Sequence, residues 1–241
     1  MRSFFVHNGD VKIHVLENGV PSADTPSLLV IGGLWEPAER AVPILSGLTS
    51  HVVAFSFRGR GLSSTPQTGY NLSHHLSDID AVVANCKLEN YIVLGFSRGA
   101  SYGLGWSMKN QKNMSGLILV DQPPVHIKPG EGYVEYWSGL VYLGIPILNF
   151  MRREALEGLS REAENVDFSD RLEGLKIPVS LFVGRSANSN IPSSLTEEEI
   201  QLYNRSVEDF ETVDFYDSGH MIPDEEQQKY IDEIARFINK R

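Results

Sequence analysis

A chain of 241 residues is long enough to bury a sizeable core, as one large domain or two small ones, and 41% hydrophobic with 22% charged residues is ordinary for a globular protein. A net charge of −10 with no Lys/Arg cluster argues against a nucleic-acid partner and against an anionic membrane surface, since both select for cations. The single Cys86 excludes an intramolecular disulfide, and neither a signal-like start nor an apolar stretch long enough for a bilayer is present, so the expectation is a cytoplasmic protein with a small-molecule partner and no membrane partner.

The first predicted element is a hairpin. "SFFVH" and "VKIHVLE" flank Asn8-Gly9, a pair suited to the left-handed conformations of a tight turn. Short apolar runs follow: "LLVIGG", "HVVAFSF", "YIVLGF", "GLILVD", "VSLFVG" and "TVDFY". Most lack period-two alternation, as strands buried on both faces do. Helical patterns lie between them, including "LSHHLSDIDAVVANC" and "ASYGLGWSMKN". "SLTEEEIQLY" predicts a helix opened by a capping box, Ser194 with Glu197, and the closing stretch carries Tyr230, Ile231, Ile234, Phe237 and Ile238 at helical spacing. Eight strands alternating with helices predict an α/β fold, with a mostly parallel sheet covered on both faces. The interval from Gln122 to about Leu175 breaks the rhythm. It is expected to be an insertion over the sheet, with a returning helix, in a single domain spanning 1–241.

"GFSRG" fits G-x-S-x-G, with Ser97 at its centre. Small residues two positions either side of the serine let a strand and a helix approach through a strained turn. The plain alternative is an ordinary strand-to-helix turn, but an apolar strand precedes the motif and small residues (Ala100, Ser101, Gly103) follow it. A serine nucleophile needs a base, and "YDSGHMIP" places His220 after the last strand, near the carboxyl edge of the sheet. Histidine suits the role because its ordinary pKa near 6.5 lets it take and return a proton at neutral pH. The other six histidines fall in the hairpin (His7, His14), at a strand start (His51), at a helix start (His74, His75) or in the insertion (His126). An oxyanion site needs two backbone N–H groups. Arg98, following the serine at a helix N-terminus, offers one; after "LLVIGG" the other falls to Leu34, or to Trp35.

At these residues the chain resembles the α/β-hydrolase family over nearly its whole length. "LLVIGGLWEP" is similar to its oxyanion loop, "VVAFSFRGRGLSS" to its next strand and Arg-Gly-x-Gly turn, "VLGFSRGAS" to its nucleophile elbow and "YDSGHMIP" to its histidine loop. The resemblance implies an eight-stranded sheet with a small helical lid after the sixth strand, here at about residues 125–155. It also implies a cofactor-independent serine hydrolase, in which Ser97, His220 and the amides of Leu34 and Arg98 carry over by position. Gly32 stands where many members have histidine. Ala187 stands where the acid usually follows the seventh strand. Members with the acid after the sixth strand point to Asp121, and Asp217 is the competitor.

Arg98 opposes the dipole of its own helix, which costs roughly 0.3–1 kcal/mol. Either a carboxylate such as Glu36 offsets this, or the side chain holds an anionic group of the substrate. Trp35, Phe96, Tyr133, Tyr136, Trp137 and Tyr142 are expected to line an apolar pocket or to pack on one another. "RGRGLSS" lacks the features of a phosphate loop, and no cluster has metal-ligand spacing, so neither cofactor nor metal is expected. The reaction expected is cleavage of an ester or thioester of a small to medium, partly apolar substrate. The alternatives are a non-hydrolytic or carbon–carbon bond-cleaving enzyme on the same triad, and a ligand-binding pseudoenzyme. Oligomeric state is left open.

Overall fold

The computed structural model describes all of residues 1–241, and the apolar runs become one eight-stranded sheet. Its strands are β1 (Arg2–Asn8), β2 (Val11–Asn18), β3 (Ser27–Ile31), β4 (Val52–Phe55), β5 (Tyr91–Phe96), β6 (Met114–Val120), β7 (Val179–Gly184) and β8 (Phe210–Phe215). They lie in the order β1-β2-β4-β3-β5-β6-β7-β8. β1 and β2 form the antiparallel hairpin, with Gly9 at φ 58° in its turn, and β2 meets β4 antiparallel; every later pairing is parallel.

The helices are α1 (Val42–Gly47), α2 (Leu72–Asn85), α3 (Arg98–Ser107), α4 (Tyr133–Gly139), α5 (Arg153–Glu162), α6 (Glu197–Ser206), α7 (Ile222–Glu225) and α8 (Gln227–Asn239). Alternation along each strand divides the apolar residues between two cores. Leu28, Val30, Ile92 and Leu94 pack with α1, α5 and α8 on one face. Leu29, Ile31, Val93 and Leu117 pack with α2, α3 and α6 on the other. Because both faces are covered there, the inner strands β3, β4, β5 and β7 are buried along their whole length and show no polar side in the sequence. No helix is long and apolar enough to cross a membrane.

The "RGRG" turn is structural. Arg58 forms a buried bidentate pair with Asp78 of α2, at 2.6 and 2.8 Å. Arg60 turns inward and donates from Nε to the carbonyl of Leu34, at 2.9 Å. The predicted cap of α6 is corrected by two residues: Thr196, not Ser194, closes the capping box, and its partner is Glu199, not Glu197. Between β6 and β7 the chain forms a short pair (Val125–His126 with Val166–Asp167), α4, a second short pair (Val141–Tyr142 with Ile145–Pro146) and the returning α5.

Candidate active site

β5, β6, β7 and β8 run parallel, so the loops at their carboxyl ends converge on one edge of the sheet. Ser97 follows β5 in a sharp turn, at φ 54° and ψ −128°, a conformation that non-glycine residues seldom adopt. The flanking glycines explain how the turn closes. A Cβ on Gly95 would lie 2.6 Å from the Ala100 Cα, and one on Gly99 would lie 2.3 Å from the Gly32 carbonyl oxygen.

Ser97 Oγ lies 2.9 Å from His220 Nε2, and His220 Nδ1 lies 2.7 Å from Asp121 Oδ2. A carboxylate only accepts, so Nδ1 carries the ring proton. Nε2 is then the acceptor for the serine hydroxyl. The arrangement can therefore take a proton from Ser97 and hold the resulting imidazolium against a fixed anion. Phe96 packs beside the imidazole, with ring centroids 5.2 Å apart.

Asp121, not Asp217, meets the histidine. Asp121 is fully buried at the end of β6, at φ 49°, with its N–H on the Phe182 carbonyl of β7. Burial pushes its carboxyl up, but hydrogen bonds from His220, Ser193 and Ser194 prevail and hold it below the ordinary range. Ser193 Oγ donates to Oδ1 at 2.6 Å and the Ser194 N–H to Oδ2 at 2.8 Å. Asp217 is exposed, two residues beyond the end of β8 and not within it, and its N–H is held by Glu226.

A carboxylate on β6 reaches a histidine loop beyond β8 because the loop crosses β7 with no side chain between. A Cβ on Gly184 would lie 2.0 Å from the Gly219 carbonyl oxygen. The loop after β7, which lacks an acid at Ala187, instead holds the other parts. Ile191 accepts the His220 N–H at 2.8 Å, and Ser193 and Ser194 secure Asp121. Glu225 fixes the loop from beneath through the Gly219 N–H, at 2.7 Å. None of these supporting contacts was predicted from sequence.

The oxyanion loop is also specific in its amides. Gly33 N–H is taken by Glu36 Oε2 at 2.9 Å, whereas the amides of Leu34 and Trp35 donate to nothing within the chain. The Arg98 amide opens α3, where first-turn N–H groups lack helical partners. Glu36 is not the partner of Arg98, contrary to expectation. It is buried against Gly33 and Arg40, and Arg40 also grips Asp224 at 2.5 and 2.7 Å. Desolvation raises the Glu36 carboxyl despite these contacts. Arg98 instead donates to the Tyr102 hydroxyl at 2.9 Å, the Ile127 carbonyl at 3.0 Å and His126 Nε2 at 3.3 Å.

A cavity of about 570 Å³ opens beside Ser97 and His220. All six predicted aromatics line it: Trp35, Phe96, Tyr133, Tyr136, Trp137 and Tyr142. Trp35 packs on Tyr142 at 5.3 Å, and the Tyr142 hydroxyl donates to Asp224 at 2.7 Å, so the insertion is tied down across the cavity. Leu34, Arg98, Ser101, Gln122 and Met221 complete much of the wall; of these Ser101, Gln122 and Met221 had no signal in the sequence.

Residues 26–233 match the model of the alpha/beta hydrolase fold. The AB hydrolase superfamily protein YisY of Bacillus subtilis is 25% identical over 78% of this chain and 81% of its own. N-formylmaleamate deformylase of Pseudomonas putida is 30% identical over a shorter stretch, 34% of this chain and 37% of its own. Among solved structures, an esterase from Exiguobacterium antarcticum superposes with a TM-score of 0.78 at 18% identity, covering 99% of this chain and 100% of its own. An enol-lactonase from Burkholderia xenovorans LB400 superposes with a TM-score of 0.76 at 14% identity, covering 98% and 99%.

Proposed function

Because this chain belongs to the alpha/beta hydrolase fold family, we propose that Ser97, His220 and Asp121 are its catalytic triad and that it is a hydrolase that cleaves an ester or thioester through an acyl-enzyme. The observation that carries this reading is the directed relay from Ser97 Oγ to His220 Nε2 and from His220 Nδ1 to Asp121, at 2.9 and 2.7 Å.

Ser97 Oγ bonds to the substrate carbonyl carbon as its proton passes to His220 Nε2. The carbonyl π pair moves onto oxygen, where the amides of Leu34 and Arg98 receive the charge. Collapse of this intermediate expels the alkoxide or thiolate, which takes the proton from Nε2. Water then gives a proton to His220 and attacks the acyl carbon; Ser97 Oγ leaves and is reprotonated, and the acid departs. Asp121 fixes the tautomer and steadies the imidazolium throughout. Labelling by a fluorophosphonate is the direct test, because only an activated serine reacts quickly. Modification at Ser97 is expected. An unlabelled, folded protein would replace this reading with a ligand-binding pseudoenzyme, and a labelled protein that turned over no simple ester would favour a non-hydrolytic reaction.

The segment at about residues 125–155 acts as a lid in this reading, and its aromatics bind the apolar part of the substrate. Each buried CH₂ contributes about 0.8 kcal/mol, roughly fourfold in binding. For aryl esters, kcat/KM is expected to rise from acetyl through hexanoyl, and Trp137→Ala is expected to flatten that rise. A series that is flat, or that falls from the shortest member onward, would remove the lid from specificity.

A further inference from the structure

We propose that the cavity takes an anionic substrate, an ester whose acyl or leaving part carries a carboxylate, and that the Arg98 side chain is the group that holds it. This rests on the serine-hydrolase reading and adds to it the charge of the substrate.

Six arginines are withdrawn from full exposure: Arg40, Arg58, Arg60, Arg98, Arg185 and Arg236. Four of them have a carboxylate within ion-pair distance, and Arg60 and Arg98 have none. Holding a cation out of water without an anion is costly, so such a group needs another reason to be there. Arg60 is sealed beneath the oxyanion loop. Arg98 lines the cavity that Ser97 faces, from the next position in the chain.

The partners of Arg98 orient it without cancelling its charge. Tyr102 Oη, the Ile127 carbonyl and His126 Nε2 each accept one N–H. A guanidinium has five N–H bonds, so one remains on each terminal nitrogen, the fork that matches a carboxylate. His126 is fixed as a neutral acceptor. Its Nδ1 donates to Ser101 Oγ at 2.9 Å, and Ser101 donates on to the Arg98 carbonyl at 2.8 Å. Burial, and then the charge of Arg98, push the His126 pKa down to about 3, so no proton competes for the Arg98 bond.

A second unsatisfied group borders the same cavity. The Tyr133 hydroxyl is buried with no hydrogen-bond partner, and burial keeps it protonated and able to donate. No aspartate or glutamate is among the groups that perturb Arg98. In a chain of net charge −10, this wall of the cavity is cationic.

The test compares the mono-aryl ester of adipic acid with its neutral methyl-capped form, each corrected for uncatalysed hydrolysis. Wild type is expected to favour the anion in kcat/KM by about 10- to 100-fold, the range of one charged hydrogen bond. Arg98→Gln is expected to collapse that ratio towards one, Arg98→Lys to restore part of it, and Tyr133→Phe to lower it a few-fold. Calorimetry of monomethyl adipate with Ser97→Ala and with Ser97→Ala/Arg98→Gln reads the same site without turnover, and binding should weaken at least tenfold in the second. If Arg98→Gln does not fold, the Lys and Phe variants carry the comparison. A wild-type ratio at or below one, or a ratio and affinity indifferent to Arg98, would overturn the proposal. If Ser97 takes a fluorophosphonate while the anion is not favoured, only the charge assignment fails. If Ser97 is inert while monomethyl adipate binds through Arg98, the hydrolase reading fails and the anion site stands.

Discussion

Ser97→Ala is expected to lower kcat by about 10³–10⁶ while leaving the fold intact, the range seen when a triad nucleophile is removed. The substitution deletes only Oγ. The Cβ and the positive φ of the turn are unchanged, and the serine hydroxyl makes no structural contact besides the one to His220 at 2.9 Å. Loss of activity therefore reports chemistry and not collapse of the elbow. Turnover of an aryl ester by the purified variant, beside its urea unfolding curve, is the measurement. Near-normal turnover by a folded variant would reject Ser97 as nucleophile.

The elbow was legible in sequence because sterics fix its glycines at set offsets: no side chain fits at Gly95 or Gly99, whatever the rest of the chain does. His220 was legible by position, in the loop after the last strand. Asp121 emerged from a gap, since the loop after β7 has no acid at Ala187. The supporting contacts were not legible, because they join loops far apart in the chain. Ser193 and Asp121 are 72 residues apart, and Ser194 and Asp121 are 73.

The displaced helix cap shows how such contacts decide a local question. Ser194-x-x-Glu197 and Thr196-x-x-Glu199 both satisfy the capping-box pattern, and nothing local chooses between them. Asp121 chooses. It takes the Ser194 N–H and also receives its hydroxyl, so the helix begins at the second candidate. Glu36 is a similar case. Its spacing of four from Arg40 was visible in the sequence, but only the fold shows that this pair and the Gly33 amide occupy it, which leaves Arg98 without a carboxylate.

Asp121→Asn is expected to cost on the order of 10⁴ in kcat, as loss of the triad carboxylate does. Both oxygens of the native carboxylate are filled by donors. Oδ1 receives the Ser193 hydroxyl at 2.6 Å and the Gly184 N–H at 3.3 Å; Oδ2 receives the Ser194 N–H at 2.8 Å and the imidazole Nδ1–H at 2.7 Å. An amide of the same shape has one acceptor oxygen, so its NH₂ must face one of these pairs. Turned towards His220, it donates to Nδ1, moves the ring proton to Nε2 and leaves nothing to accept from Ser97. Turned away, it opposes the Gly184 N–H and keeps the tautomer, but no negative charge steadies the imidazolium that forms in the transition state. Both orientations slow the reaction. Asp217→Asn is expected to change kcat little, because Asp217 is exposed and makes no contact with His220. If the two losses were reversed, the acid would be Asp217. If both variants kept their activity, a Ser97–His220 dyad would replace the triad, and the buried carboxylate would be there only to join the β7 loop to the histidine loop.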